Sequence, residues 1–86
     1  MTQFWVAGQP ISVVVDEHGV PNRFIWQEHQ YHIRRIVQRW DVDVEWWRPE
    51  GGIRRHYLAV ITGDNLFCVL YYDQLHEQWS LARLYD

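Results

Sequence analysis

No lysine occurs anywhere in the 86 residues. All eight basic residues are arginine, and six of them (Arg34, Arg35, Arg39, Arg48, Arg54 and Arg55) fall within 22 positions. Arginine suits planar, bidentate or ring-stacked contacts rather than diffuse attraction. The net charge of −3 speaks against a general electrostatic grip on nucleic acid, since such domains are usually basic. A local basic patch on an acidic domain is still allowed.

Other absences narrow the function further. One cysteine, Cys68, excludes an internal disulfide, and no apolar run approaches the roughly 20 residues of a membrane helix. No basic segment followed by a long apolar stretch opens the chain, so a secretory leader is not expected and the cytoplasm is the default. His29, His32, His56 and His76 form no CxxC or HxxxH pairing, so no metal and no cofactor is expected. Cys68 sits between Phe67 and Val69 as a small buried hydrophobe would, and Ser12 and Ser80 have no elbow motif, so no catalytic residue is assigned and an enzyme is not expected. Gly51-Gly52 lacks the following Lys-Ser/Thr of a phosphate loop. Repeats and low-complexity tracts are absent.

What is present is aromatic. A chain this short buries only about 60–65% of its unfolded surface, so large side chains must supply the core. Six Trp, five Tyr and three Phe meet that need, each ring burying about 150–250 Å², or about 4–6 kcal/mol as an upper bound.

The stretch Trp40-Asp41-Val42-Asp43-Val44-Glu45-Trp46-Trp47 alternates apolar and acidic residues with period two, the pattern of a half-buried strand with Trp40 and Trp46 inside. Asp41, Asp43 and Glu45 then form a solvated face with arginine partners. Ile11, Val13 and Val15 mark a first strand, and Phe24 and Trp26 share one side of a second. Apolar positions are odd-numbered at Tyr31 and Ile33 but even-numbered from Ile36 to Trp46, which predicts a β-bulge near Arg34–Val37. The competing reading is a helix near 32–40, because Ile33, Ile36, Val37 and Trp40 also fit helical spacing.

Arg48-Pro49-Glu50-Gly51-Gly52 is the strongest turn and joins this strand to Arg54–Thr62, with Val44 expected opposite Leu58, Val42 opposite Val60 and Trp47 opposite Arg55. Residues 57–61 and Leu66–Tyr72, within a strand expected over Leu66–Asp73, are apolar on both faces, as in strands covered on both sides. Trp79, Leu81 and Tyr85 share a face of the closing strand. The expected architecture is all-β: an N-terminal arm over residues 1–9, then a single domain over 10–86. That domain is a five- to six-stranded antiparallel meander curled into a small SH3-like barrel, with α+β carrying a short helix near 32–40 as the alternative.

Two binding surfaces follow. Arg48, Arg54 and Arg55 flank a turn beside Trp46 and Trp47, a combination suited to anchoring a protein or stacking bases. The doubly apolar hairpin adds Tyr57 and Tyr71 as partner contacts. The candidate binding set is therefore Arg34, Arg35, Trp47, Arg48, Arg54, Arg55, Tyr57 and Tyr71. A non-enzymatic protein-interaction module is the first reading, with a homodimer allowed. A single-stranded nucleic-acid binder is the second, with the arginines on the backbone and Trp47 stacking.

The spacing Phe24-x-Trp26, Tyr31-x-Ile33, Arg39-Trp40, Trp46-Trp47, Arg55-x-Tyr57, Val60-x-Thr62, Leu70-Tyr71-x-Asp73, Trp79-x-Leu81 and Tyr85-Asp86 runs from about Pro10 to the last residue. It resembles a small uncharacterised bacterial domain family. Members look like stand-alone proteins of similar length, or like the C-terminal tail of Y-family-polymerase-like proteins from damage-induced mutagenesis operons. The resemblance implies a module of translesion synthesis or DNA repair, binding a repair polymerase, its accessory proteins or DNA, and it carries no catalytic residues. Val69 and Tyr72 stand where polar or charged residues are more usual in that family, and Phe4-Trp5 lies ahead of the resembling region.

Overall fold

The computed structural model describes residues 3–44 and 52–85, with side chains from Gly8 onward. Among these the chain forms seven strands and no helix: β1 (Gln3–Pro10), β2 (Ser12–Val15), β3 (Pro21–Trp26), β4 (His29–Val44), β5 (Ile53–Thr62), β6 (Phe67–Asp73) and β7 (Gln78–Tyr85). They make one antiparallel sheet in the order β1-β7-β6-β5-β4-β3-β2. The sheet curls into a half-barrel because β1 and β2, consecutive in the chain, lie at opposite ends of the strand order. The Ile11 backbone N–H then donates to the Trp79 carbonyl at 3.2 Å, drawing β2 back towards β7.

Three expectations change. The count is seven strands rather than five or six, because the segment read as an arm contains β1, paired with β7 from Gln3↔Leu84 to Pro10↔Ser80. The helical alternative for 32–40 fails, since those residues all lie in β4. The single bulge near Arg34–Val37 is in fact two, one between Ile33 and Arg35 and one between Ile36 and Gln38.

The second bulge matters most. One extra residue would keep Trp40, Val42 and Val44 on the core side, whereas two send them to the opposite face, because each slip by one residue exchanges the faces. The observed partners are Trp40↔Tyr57, Val42↔Arg55 and Val44↔Ile53, not the expected Val42–Val60 and Val44–Leu58. Alternation through this stretch therefore holds, but Trp40 is not in the core. A bulge in the β6–β7 ladder, where Val69 faces Arg83 and Leu70 faces Leu81, does the same to Tyr85 and parts it from Trp79 and Leu81. The 48–52 turn and the Trp46 and Trp47 positions fall on residues outside the described ones, apart from Gly52.

The core occupies one face. Phe24, Val60, Cys68, Leu70 and Leu81 have no exposed surface, and Trp26, Ile33, Leu58 and Leu84 complete the cluster. Phe24 stacks on Tyr31, its partner across β3 and β4, with centroids 4.9 Å apart. Local chemistry sets the turns. The Asp16 carboxylate accepts the backbone N–H groups of His18 (2.8 Å) and Val20 (2.9 Å) between β2 and β3. Gln27 and Glu28, at φ 51° and 64°, make the two-residue β3–β4 connection with both residues at positive φ, the twist that suits a tight hairpin.

The Asp73 carboxylate organises the β6–β7 turn, accepting the N–H groups of Leu75 (3.0 Å) and His76 (3.2 Å) and pairing with His76 Nδ1 at 2.8 Å. Partial burial pushes its carboxyl up, but the hydrogen bonds from His76 and Leu75 outweigh this and hold it below its ordinary value. A depressed carboxylate pKa contributes stability that is present above the unfolded value, about 3.9 for Asp, and is lost as pH falls through the folded one. Acid titration of the folding free energy should show a loss below about pH 4 that Asp73→Asn largely removes. An unchanged acid profile in Asp73→Asn would place the loss elsewhere.

Candidate functional site

The sheet face opposite the core is not a plain solvated surface. Trp40 on β4, Tyr57 on β5 and Tyr71 on β6 are direct cross-strand neighbours. Their rings form a continuous row: Trp40 stacks on Tyr57 at 5.3 Å with 5° between planes, and Tyr57 tilts against Tyr71 at 5.2 Å and 39°. Phe67 meets Tyr85 edge-on at 5.3 Å, one ladder further along. Between the two groups runs a groove of about 500 Å³, floored by Ala59, Val69 and Ala82 and bounded by Gln38, Val42, Arg55 and Arg83. Such cross-strand ring pairs contribute about 0.5–1.5 kcal/mol each beyond their area, so the row is a rigid surface rather than a loose one.

Two guanidinium groups are held against it. Arg55 donates to the Tyr57 hydroxyl at 3.3 Å and lies 4.4 Å above the Tyr71 ring. Partial desolvation works against its charge, but the Tyr57 hydrogen bond and the nearby Tyr71, Tyr57 and Asp73 outweigh it and raise its pKa further. Arg83 donates to the Tyr85 hydroxyl at 3.0 Å. No carboxylate is among the described residues that line the groove. The trough is ring-lined and carries two arginines, with the Asp73 carboxylate opposite Arg55 at its end.

The structure divides the sequence-derived set. Arg55, Tyr57 and Tyr71 come together in the groove. Arg54, the next residue along β5, points to the other face, where it pairs with Asp43 at 3.8 Å beside the Asp41–His56 hydrogen bond. Arg34 and Arg35 are exposed on β4, Arg35 opposite Ile61. Trp47 and Arg48 lie outside the described residues. The basic patch expected around one turn is therefore split across two faces, because adjacent residues of a strand cannot share one. Sequence reasoning missed Trp40, Val42, Phe67, Arg83 and Tyr85 as site residues. Trp40 and Val42 lie beyond the second β4 bulge, at Val37, and Arg83 and Tyr85 beyond the β6–β7 bulge, and no signal within a single strand marks either.

Val69 and Tyr72 are not loose on the surface. Val69 is buried in the groove floor, and Tyr72 tilts against Trp79 at 5.2 Å. Cys68 has no exposed surface, and burial pushes its thiol up to about 12, so it packs in the core as a protonated thiol. Among the described residues no three His, Cys, Asp or Glu side chains are grouped to hold a metal ion, and no helix is long and apolar enough to cross a membrane.

Fold and site together define an all-β half-barrel domain with a ring-lined groove on one sheet face. The chain belongs to the family described as Domain of unknown function (DUF6504), which matches residues 4–86 and so includes Phe4 and Trp5 as well as the region from Pro10. No curated protein and no solved structure matches it.

Proposed function

We propose that this domain is a non-enzymatic interaction module that binds a protein partner in the groove of the half-buried rings of Trp40, Tyr57 and Tyr85, which the buried Tyr71 supports from below. The observation that carries the reading is the aromatic row itself. Large rings on a sheet face away from the core, with arginines tied to their hydroxyls, have the composition of a binding hot spot. The resemblance supports a place beside a repair polymerase or its accessory proteins in translesion synthesis.

The test is capture of those polymerase components by the purified domain, followed by titration. Trp40→Ala or Tyr57→Ala should weaken the complex about 30-fold or more, the scale of a hot-spot ring. A domain that captures none of them, or variants that bind as tightly as the parent, would end the proposal.

The second reading is a single-stranded nucleic-acid binder, favoured by the pairing of Arg55 with the stacked Tyr57 and Tyr71 rings. It has lost support through Arg54, which is committed to Asp43 on the other face. Oligonucleotide quenching of tryptophan emission that weakens with salt would favour it over the protein partner.

A further inference from the structure

The β4 strand runs on beyond its partner β3, which pairs only with His29–His32. From Gln38 to Val44 one side of β4 is bonded to β5, and the other has no strand partner among the described residues. An edge of this kind presents a row of free N–H and C=O groups, and proteins usually blunt it with proline, lysine or bulges. Residues 38–44 contain neither proline nor lysine, and both bulges stop before Gln38.

The charges on this edge have a definite order. Arg39, Asp41 and Asp43 project to one face, while Trp40, Val42 and Val44 project to the other. Arg39 has no ion pair or hydrogen bond among the described residues, whereas Asp41 bonds His56 and Asp43 pairs with Arg54. The register proposed for pairing this stretch with itself is antiparallel about Asp41. It sets Arg39 against Asp43 of the second copy, twice, and Trp40 against Val42, twice. The two Asp41 carboxylates meet at the axis, each already hydrogen-bonded to its own His56. Such an isologous contact closes on itself and uses one patch from each copy.

We propose that the free edge of β4 pairs with the same edge of a second copy of this chain, making a two-fold dimer with one continuous sheet. What selects a second copy over any other occupant is the pair of Arg39–Asp43 contacts, two of opposite charge against the single like-charge contact at Asp41. The proposal is independent of what the groove binds, although pairing brings Trp40 of each copy beside Val42 of the other at the groove rim.

Sedimentation equilibrium of the full chain from about 1 to 100 µM should show a monomer–dimer equilibrium. Arg39→Asp and, separately, Asp43→Arg each place like charges together twice and should weaken self-association at least about tenfold. Mixing these two variants should restore the dimer, because the carboxylate introduced at position 39 of one then meets the guanidinium introduced at position 43 of the other. A monomeric parent, or association insensitive to both substitutions, overturns the proposal, with circular dichroism confirming that each variant is folded. Asp41→Cys provides a readout free of the charge changes at positions 39 and 43. On mild oxidation it should cross-link to itself across the axis, while Asp43→Cys should not, and Cys68, buried and hard to ionise, does not compete. Failure of Asp41→Cys to cross-link in a dimeric parent would overturn the register.

Discussion

Phe24→Ala should cost about 3–5 kcal/mol of folding free energy, the range for emptying a fully buried phenylalanine site. Phe24 has no exposed surface and lies in β3, with Val13 on one side and Tyr31 stacked at 4.9 Å on the other. The loss is therefore both transfer free energy and a cavity between three strands that the curl of the sheet keeps from collapsing. A domain of this size has a total stability of about 4–13 kcal/mol, so the variant should lose from about a quarter of it to all of it. Denaturant titration checks it, and the parallel Phe24→Leu change should cost less than about half as much, because most of the volume remains. A loss under about 1 kcal/mol for Phe24→Ala would mean that the β2–β3–β4 half of the barrel contributes little to cooperative folding.

The second large effect is expected at Gly8, where β1 crosses the groove side of the sheet. Its φ is +75°, a region that costs an ordinary residue about 1–2 kcal/mol. A Cβ there would sit 2.5 Å from the Tyr71 hydroxyl, 3.1 Å from Tyr71 Cε2 and 3.0 Å from Ser80 Cβ. Ser80 Cβ is fixed to the backbone of β7 and cannot swing aside, so overpacking should add about 1–3 kcal/mol. Gly8→Ala should therefore destabilise by about 2–5 kcal/mol, the sum of the two effects. Tyr71→Phe removes the nearest atom, so a double-mutant cycle should return part of that loss as coupling between the two positions. Strict additivity would show that β1 does not rest on Tyr71. The same contact joins stability to the proposed function, because Tyr71 ends the ring row that lines the groove.

The proposed dimer and the proposed groove share one strand and meet at Trp40 and Val42, which line the groove and lie against the second copy. The groove takes side chains from the face that carries Trp40 and Val42, while the edge uses backbone groups and the charges of Arg39 and Asp43 on the other face. A monomeric variant made at Arg39 is for that reason a useful background in which to measure partner binding alone.

Much of this fold is legible in residue order. Phe24 and Trp26, two residues apart, are both buried as their spacing requires, and the unbroken apolar run of β6 is covered on both faces, by the core at Cys68 and Leu70 and within the groove at Val69 and Tyr71. Half of the site is legible for the same reason: Arg55, Tyr57 and Tyr71 alternate correctly along their own strands. Trp40 and Tyr85 were misplaced because each lies beyond a bulge, and a bulge belongs to a pair of strands rather than to one.

Alternation of polar and apolar side chains, with Asp, Asn and Gly at the turns, is sufficient to make this chain a meander of strands around a small aromatic core, since that pattern depends only on neighbours in sequence. Which rings enter the core and which form the groove depends on how β4 and β7 step past β5 and β6. One additional residue in a ladder reverses every side chain after it, and the number of such residues is set by the fit between strands that meet only once the sheet has closed.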